Sequence, residues 1–117
     1  MADTVNKYAE INKGLKEFFK ASPQVIGAFK ALRGEVCNDK GVLDYKTKEL
    51  IAVAVSVARK CDPCILSHLD VAIQVGVTRE ELVESLNIAI LLCGGPGYAY
   101  AASALAAYDE MVAANKA

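Results

Sequence analysis

What this 117-residue chain has little of removes whole classes of protein from consideration. It has no surplus of either charge. Thirteen lysines and arginines stand against 14 aspartates and glutamates, a net charge of -1. With a pI near 5.8 there is no electrostatic reason to expect nucleic acid or an anionic lipid surface as partner. It has no long hydrophobic run: Leu50 to Ala58 is nine residues with Ser56 among them, against the roughly 20 needed to cross a bilayer. The opening MADTVNKYAE lacks the charged-then-apolar pattern of a secretory signal, so a cytoplasmic protein is expected. There is no glycine-rich phosphate loop or flavin signature, so no nucleotide or other cofactor is expected. No stretch of four or more residues alternates like a strand, Asn-Gly hairpin dipeptides are absent, and there are no repeats or linkers.

What remains is apolar residues at 54% and helical signals throughout, enough for one domain with a real core. The expected fold class is all-α, a single-domain bundle of about six helices. Val5, Tyr8, Ile11, Leu15, Phe18 and Phe19 give a first helix over Thr4 to Lys20, with Gly14 as its weak point. Ser22-Pro23 opens a second that runs to about Cys37, with Val25, Ile26, Phe29, Leu32 and Val36 as its apolar face. Asp44 caps a third, from Tyr45 to about Lys60, apolar almost all round from Leu50 and therefore suited to the middle of a bundle or a subunit contact. Asp62-Pro63 caps a fourth, which ends at Gly76. Thr78 to Glu81 is a capping box for a fifth, which Gly94 stops. Gly95-Pro96-Gly97 is the expected connection to an alanine-rich sixth, Tyr98 to about Ala114.

Chemistry concentrates at the start of the fourth helix. Cys61 and Cys64 form a C-x-x-C pair, and His68, the only histidine, follows four residues later on the same helical face. A helix start stabilises a thiolate through its free amides and its dipole. The spacing suits an imidazole exchanging a proton with the Cys64 sulfur. If helices three and four form a hairpin turning near residues 60–61, Glu49 falls opposite about residue 72. That is about 6 Å beyond His68, in reach through a water. The predicted order is Glu49, His68, Cys64, with Ser67, Asp70 and Gln74 as the solvent stripe of the fourth helix. Cys37 and Cys93 read as ordinary packed or semi-exposed thiols.

Two other chemistries use the same residues. Cys61, Cys64, His68 and Glu49 are the right donor types for zinc in a non-enzymatic interaction module, although a second cysteine or histidine pair is missing. His68 and Glu49 alone would serve as acid and base for decarboxylation of a small lactone acid.

Leu43 to Leu50, Cys61-Asp62-Pro63-Cys64, His68, Ala72, Gly76-Val77-Thr78 and Glu80-Glu81 together resemble the carboxymuconolactone decarboxylase superfamily. More narrowly they resemble its alkylhydroperoxidase D-like branch, over roughly residues 22–110. The resemblance implies a homotrimer or homohexamer and a thiol peroxidase or protein disulfide reductase acting in antioxidant defence. Its catalytic residues would be Cys64, Cys61, His68 and Glu49. Its substrate would be a peroxide or a disulfide, and a thiol reductant or peroxiredoxin-like protein would be its partner. No metal is implied. Alkylhydroperoxidase D carries a further histidine directly before the second cysteine, where this chain has Pro63. The lactone decarboxylases work without a redox cysteine pair.

Overall fold

Helical periodicity resolves into six helices in the computed structural model, which describes residues 2–116. They are α1 (Ala2–Ala21), α2 (Pro23–Val36), α3 (Tyr45–Ala58), α4 (Asp62–Gln74), α5 (Arg79–Cys93) and α6 (Gly95–Lys116). No strand occurs among the described residues. Helices α3 to α6 enclose the core, and α1 lies against α6 and α4. Val53 and Val57 of α3, Leu69 of α4, Leu82 of α5 and Ala104 of α6 are almost wholly removed from solvent. Each large one of these contributes about 1.5–3 kcal/mol of burial.

Two helix ends position the site. At the end of α3, Cys61 N–H donates to Ser56 O (3.1 Å) and Lys60 N–H to Val57 O (3.0 Å). That is the Schellman pattern, and Lys60 takes the left-handed conformation it requires (φ 55°). The end of α4 repeats it, with Val77 donating to Ala72 O and Gly76 to Ile73 O. There the left-handed place is filled by glycine (φ 89°). The α3–α4 turn is therefore very short, and α4 folds back along α3.

The expected caps at Asp44 and at Thr78–Glu81 form. Asp44 accepts the Thr47 amide at 2.7 Å, and Thr78 and Glu81 exchange a full capping box. α1 runs unbroken through Gly14. One boundary and one helix face differ from expectation. α6 begins at Gly95, so Gly94 alone (φ 68°) connects it to α5. Pro96 lies in the first turn, where no amide donor is lost. A Cβ on Gly97 would stand 2.8 Å from Ala89 O and 2.9 Å from Cys93 Cβ, so the glycine permits the close α5–α6 approach. Finally, the apolar row of α2 points outward: Val25, Phe29, Leu32 and Val36 are all exposed. The half-buried row is Ser22, Ile26, Arg33 and the cap residue Cys37.

Candidate active site

The short turn that ends α3 delivers Cys61 in extended conformation (φ -109°, ψ 93°) as the N-cap of α4. Its sulfur accepts the Cys64 amide at 3.3 Å. Asp62, expected to be the cap, is the first helical residue, and its carboxylate pairs with Lys7 at 3.0 Å. Pro63 follows it. The reason is the Schellman turn, which places residue 61 rather than 62 at the last non-helical position. Cys61 and Cys64 are joined as a disulfide, with a Cα–Cα distance of 5.3 Å. Cys64 is exposed and Cys61 half-buried, so the outer sulfur is open to a reacting partner. The positive end of the helix acts on Cys61 directly, through the bonded amide.

His68 lies one turn further along α4, and Glu49 reaches it from α3. Glu49 Oε1 and His68 Nδ1 are 2.8 Å apart. The contact is direct, where the hairpin estimate allowed for a water. That estimate treated the helices as parallel rods and ignored both the crossing angle and the reach of a glutamate. The Glu49 side chain has no solvent exposure, and that of His68 retains 19%. Glu49 Oε2 is buried without a hydrogen-bond partner. An unpartnered buried polar atom is costly, and the Cys37 thiol is a further polar group in contact with this carboxyl group.

Sequence reasoning left out what α2 contributes. Arg33 Nη1 donates to Ser67 Oγ at 2.8 Å, and Arg33 Nη2 lies 3.3 Å from His68 Nδ1. One turn on, Cys37 sits beside the Glu49 carboxyl. Burial first, and then the charge of Glu49 and contact with it, push the Cys37 thiol above its ordinary pKa. That direction disfavours the thiolate at Cys37. Tyr45 completes the cluster, its phenol pushed up by burial and by the Glu49 and Cys37 charges. Ser67 and Asp70 are not a solvent stripe. Arg33 covers the first, and Tyr8 donates to the second at 3.3 Å. The available signal was the spacing of Ile26, Arg33 and Cys37 on one face of α2, an arginine and a thiol in line with an apolar residue.

Among the described residues no group of three or more histidine, cysteine, aspartate or glutamate side chains is arranged to hold a metal ion. The four candidate zinc donors split into a sulfur pair and a carboxylate–imidazole pair. An apolar groove of about 370 Å³ lies between α3 and α5, lined by Leu50, Ile51, Val55, Ile88 and Leu92 among others. None of Glu49, Cys61, Cys64 or His68 lines it. No described helix is long and apolar enough to cross a membrane.

A sequence model of the carboxymuconolactone decarboxylase family matches residues 23–107. The chain belongs to that family. A carboxymuconolactone decarboxylase family protein from Legionella pneumophila superposes with a TM-score of 0.89 at 39% identity, covering 94% of this chain and 97% of the other. One from Thermotoga maritima, with a suggested involvement in the antioxidative response, gives 0.81 at 31% identity, covering 94% and 93%. The alkyl hydroperoxide reductase AhpD of Mycobacteroides abscessus is 38% identical over 63 residues, 54% of this chain and 35% of that protein. This chain therefore has the all-α fold of the carboxymuconolactone decarboxylase family, and about half of it is similar to part of an alkyl hydroperoxide reductase AhpD.

Proposed function

We propose that this carboxymuconolactone decarboxylase family member is a thiol-dependent oxidoreductase whose working group is the Cys61–Cys64 dithiol. The observation that carries the proposal is a disulfide across the start of α4, one turn from a buried carboxylate–imidazole pair. In the reduced state Cys64, the exposed sulfur, attacks a peroxide as thiolate. The O–O bond breaks, the alcohol leaves with a proton, and Cys64 becomes a sulfenic acid. Cys61 then displaces water to form the disulfide. With a disulfide substrate, Cys64 forms the mixed disulfide and Cys61 resolves it. An external thiol reductant or a peroxiredoxin-like protein returns two electrons and two protons.

His68 and Glu49 are assigned the proton traffic. Nδ1 is engaged by Glu49, which leaves Nε2 to serve the sulfur. When a reductant attacks Cys64, Cys61 is the leaving group, and the bonded Cys64 amide favours its departure as thiolate. The outward apolar row of α2 and the α3–α5 groove support self-association as a trimer or hexamer, and cytoplasmic reductants suit the cycle.

Replacing Cys64 by serine is expected to abolish peroxide and disulfide turnover, and turnover unchanged in C64S would overturn the assignment. A redox titration of the disulfide, with mass spectrometry to confirm the bridge, is expected to give a potential near the cytosolic poise, roughly -220 to -320 mV. Decarboxylation of a lactone acid that survives alkylation of both thiols would point to acid–base chemistry by His68 and Glu49 instead.

A further inference from the structure

An imidazole nitrogen offers one hydrogen-bonding direction, occupied either by a proton or by a lone pair. At His68 Nδ1 two groups compete for it, Glu49 Oε1 at 2.8 Å and Arg33 Nη2 at 3.3 Å. Their requirements are opposite. A carboxylate accepts, so it favours a proton on Nδ1. A guanidinium only donates, so it favours a bare Nδ1 and a proton on Nε2.

We infer that Arg33 is a positioning residue of the relay, set against Glu49 at His68 Nδ1 so that the ring can exchange tautomers during a turnover. The inference rests on the reading of His68 and Glu49 as the proton relay of the dithiol. Before the exchange Cys64 is a thiol, Nδ1 carries the ring proton, Nε2 is bare and Glu49 is a carboxylate. Nε2 takes the thiol proton while Nδ1 passes its own to Oε1. The products are a Cys64 thiolate, a neutral ring with the proton on Nε2, and a neutral Glu49. The three groups together carry one negative charge before and after. That charge has moved from a fully buried carboxylate to an exposed sulfur at a helix start. On the return stroke the thiolate is reprotonated through the same ring, so neither tautomer should be locked.

With Glu49 alone, the short bond would lock the Nδ1–H form. The guanidinium opposes it from the other side. Ser67 Oγ holds the second arm of the fork at 2.8 Å and so fixes the guanidinium where it can act. The charged or polar groups around this point are Cys37 on α2, Tyr45, Lys48 and Glu49 on α3, and Ser67 and His68 on α4. Arg33, also on α2, is bonded to both Ser67 and His68.

Because His68 is the only histidine, its ring ¹⁵N signals identify it without assignment. In the reduced full-length protein the wild type is expected to show averaged shifts from both tautomers. R33M should move to the Nδ1–H form, and R33K should lie between. In peroxide or disulfide turnover R33M should lose about ten- to a hundredfold in kcat with KM unchanged, as for removal of a charged hydrogen bond, and R33K should recover part of it. Should R33M fail to fold, S67A keeps the arginine but frees its fork, and it should shift the ring in the same direction. Tautomer populations in R33M or S67A that match the wild type would overturn the inference. The ring readout needs no turnover. A response to Arg33 in a protein without thiol activity would sink the oxidoreductase reading alone, whereas C64S-sensitive turnover with an unresponsive ring would sink this one alone.

Discussion

Replacing His68 by alanine tests the buried pair through stability, independently of any substrate. Glu49 has no exposure, and one of its oxygens already lacks a partner. Removing the imidazole strips the other oxygen of its 2.8 Å contact. Stranding a buried charge by deleting its partner costs about 3–5 kcal/mol where nothing compensates. Here two things do. His68 retains 19% exposure, so water can follow into the space it leaves, and the Arg33 guanidinium stands 3.3 Å from the ring. The expected loss is therefore about 2 kcal/mol, nearer the cost of one unsatisfied buried group. In a urea titration that is a midpoint shift on the order of 1 M. It should be read at one protein concentration, since self-association would add to apparent stability. Adding Glu49→Gln to His68→Ala removes the charge that was left unpaired, and about half the loss should return. A single H68A variant within about 0.5 kcal/mol of wild type, or a double variant no better than the single, would refute the claim that His68 holds a buried carboxylate.

Two further substitutions probe how the helices are joined. Lys60→Gly relieves a left-handed side chain at the α3–α4 turn, offset in part by the greater freedom of glycine in the unfolded chain, for a net gain of about 0.5–1 kcal/mol in thermal or urea unfolding; a loss would mean that the Lys60 side chain has a stabilising contact of its own. Gly97→Ala puts a methyl 2.8 Å from the Ala89 carbonyl oxygen, which the helices can accommodate only by separating, so a destabilisation of about 2 kcal/mol is expected by calorimetry, and a neutral result would show that α5 and α6 slide freely.

The helices were legible because their ends are written in local chemistry. Asp44 before Thr47, Thr78 before Glu81 and Gly94 after α5 each satisfy a helix terminus by a bond within a few residues. The dithiol and His68 were legible for the same reason, their spacing lying within one helix. Glu49 was placed to within a turn because the connection between α3 and α4 is short. What escaped the sequence is what crosses the structure. Arg33 and Ser67 are 34 residues apart, and nothing local marks one as the partner of the other. The outward turn of the α2 apolar row escaped too, since periodicity gives a face but not its direction. Asp62 was mistaken for a cap because an aspartate before proline is the stronger local signal. The α3 end decided otherwise by using residue 61 for both helices.

The departures from local rules fall close together, and their position argues for function more strongly than any one of them. Other buried groups and helix ends among the described residues meet the usual requirements. Gly76 fills the left-handed place in its helix end, buried Ser56 bonds to the Ala52 carbonyl at 2.7 Å, and the buried Tyr108 hydroxyl bonds to Val77 O at 2.9 Å. At the α3–α4 hairpin the same requirements are broken three times. Lys60 takes the left-handed place beside Cys61, Glu49 Oε2 is buried and unsatisfied, and His68 Nδ1 faces two partners it cannot serve at once. Selection for stability alone would favour glycine at 60 and an apolar residue at 49. Such a cluster of strain around a disulfide fits the proposed proton transfer better than it fits packing. The Glu49–His68–Arg33 contact is thus the part of the molecule least explained by folding.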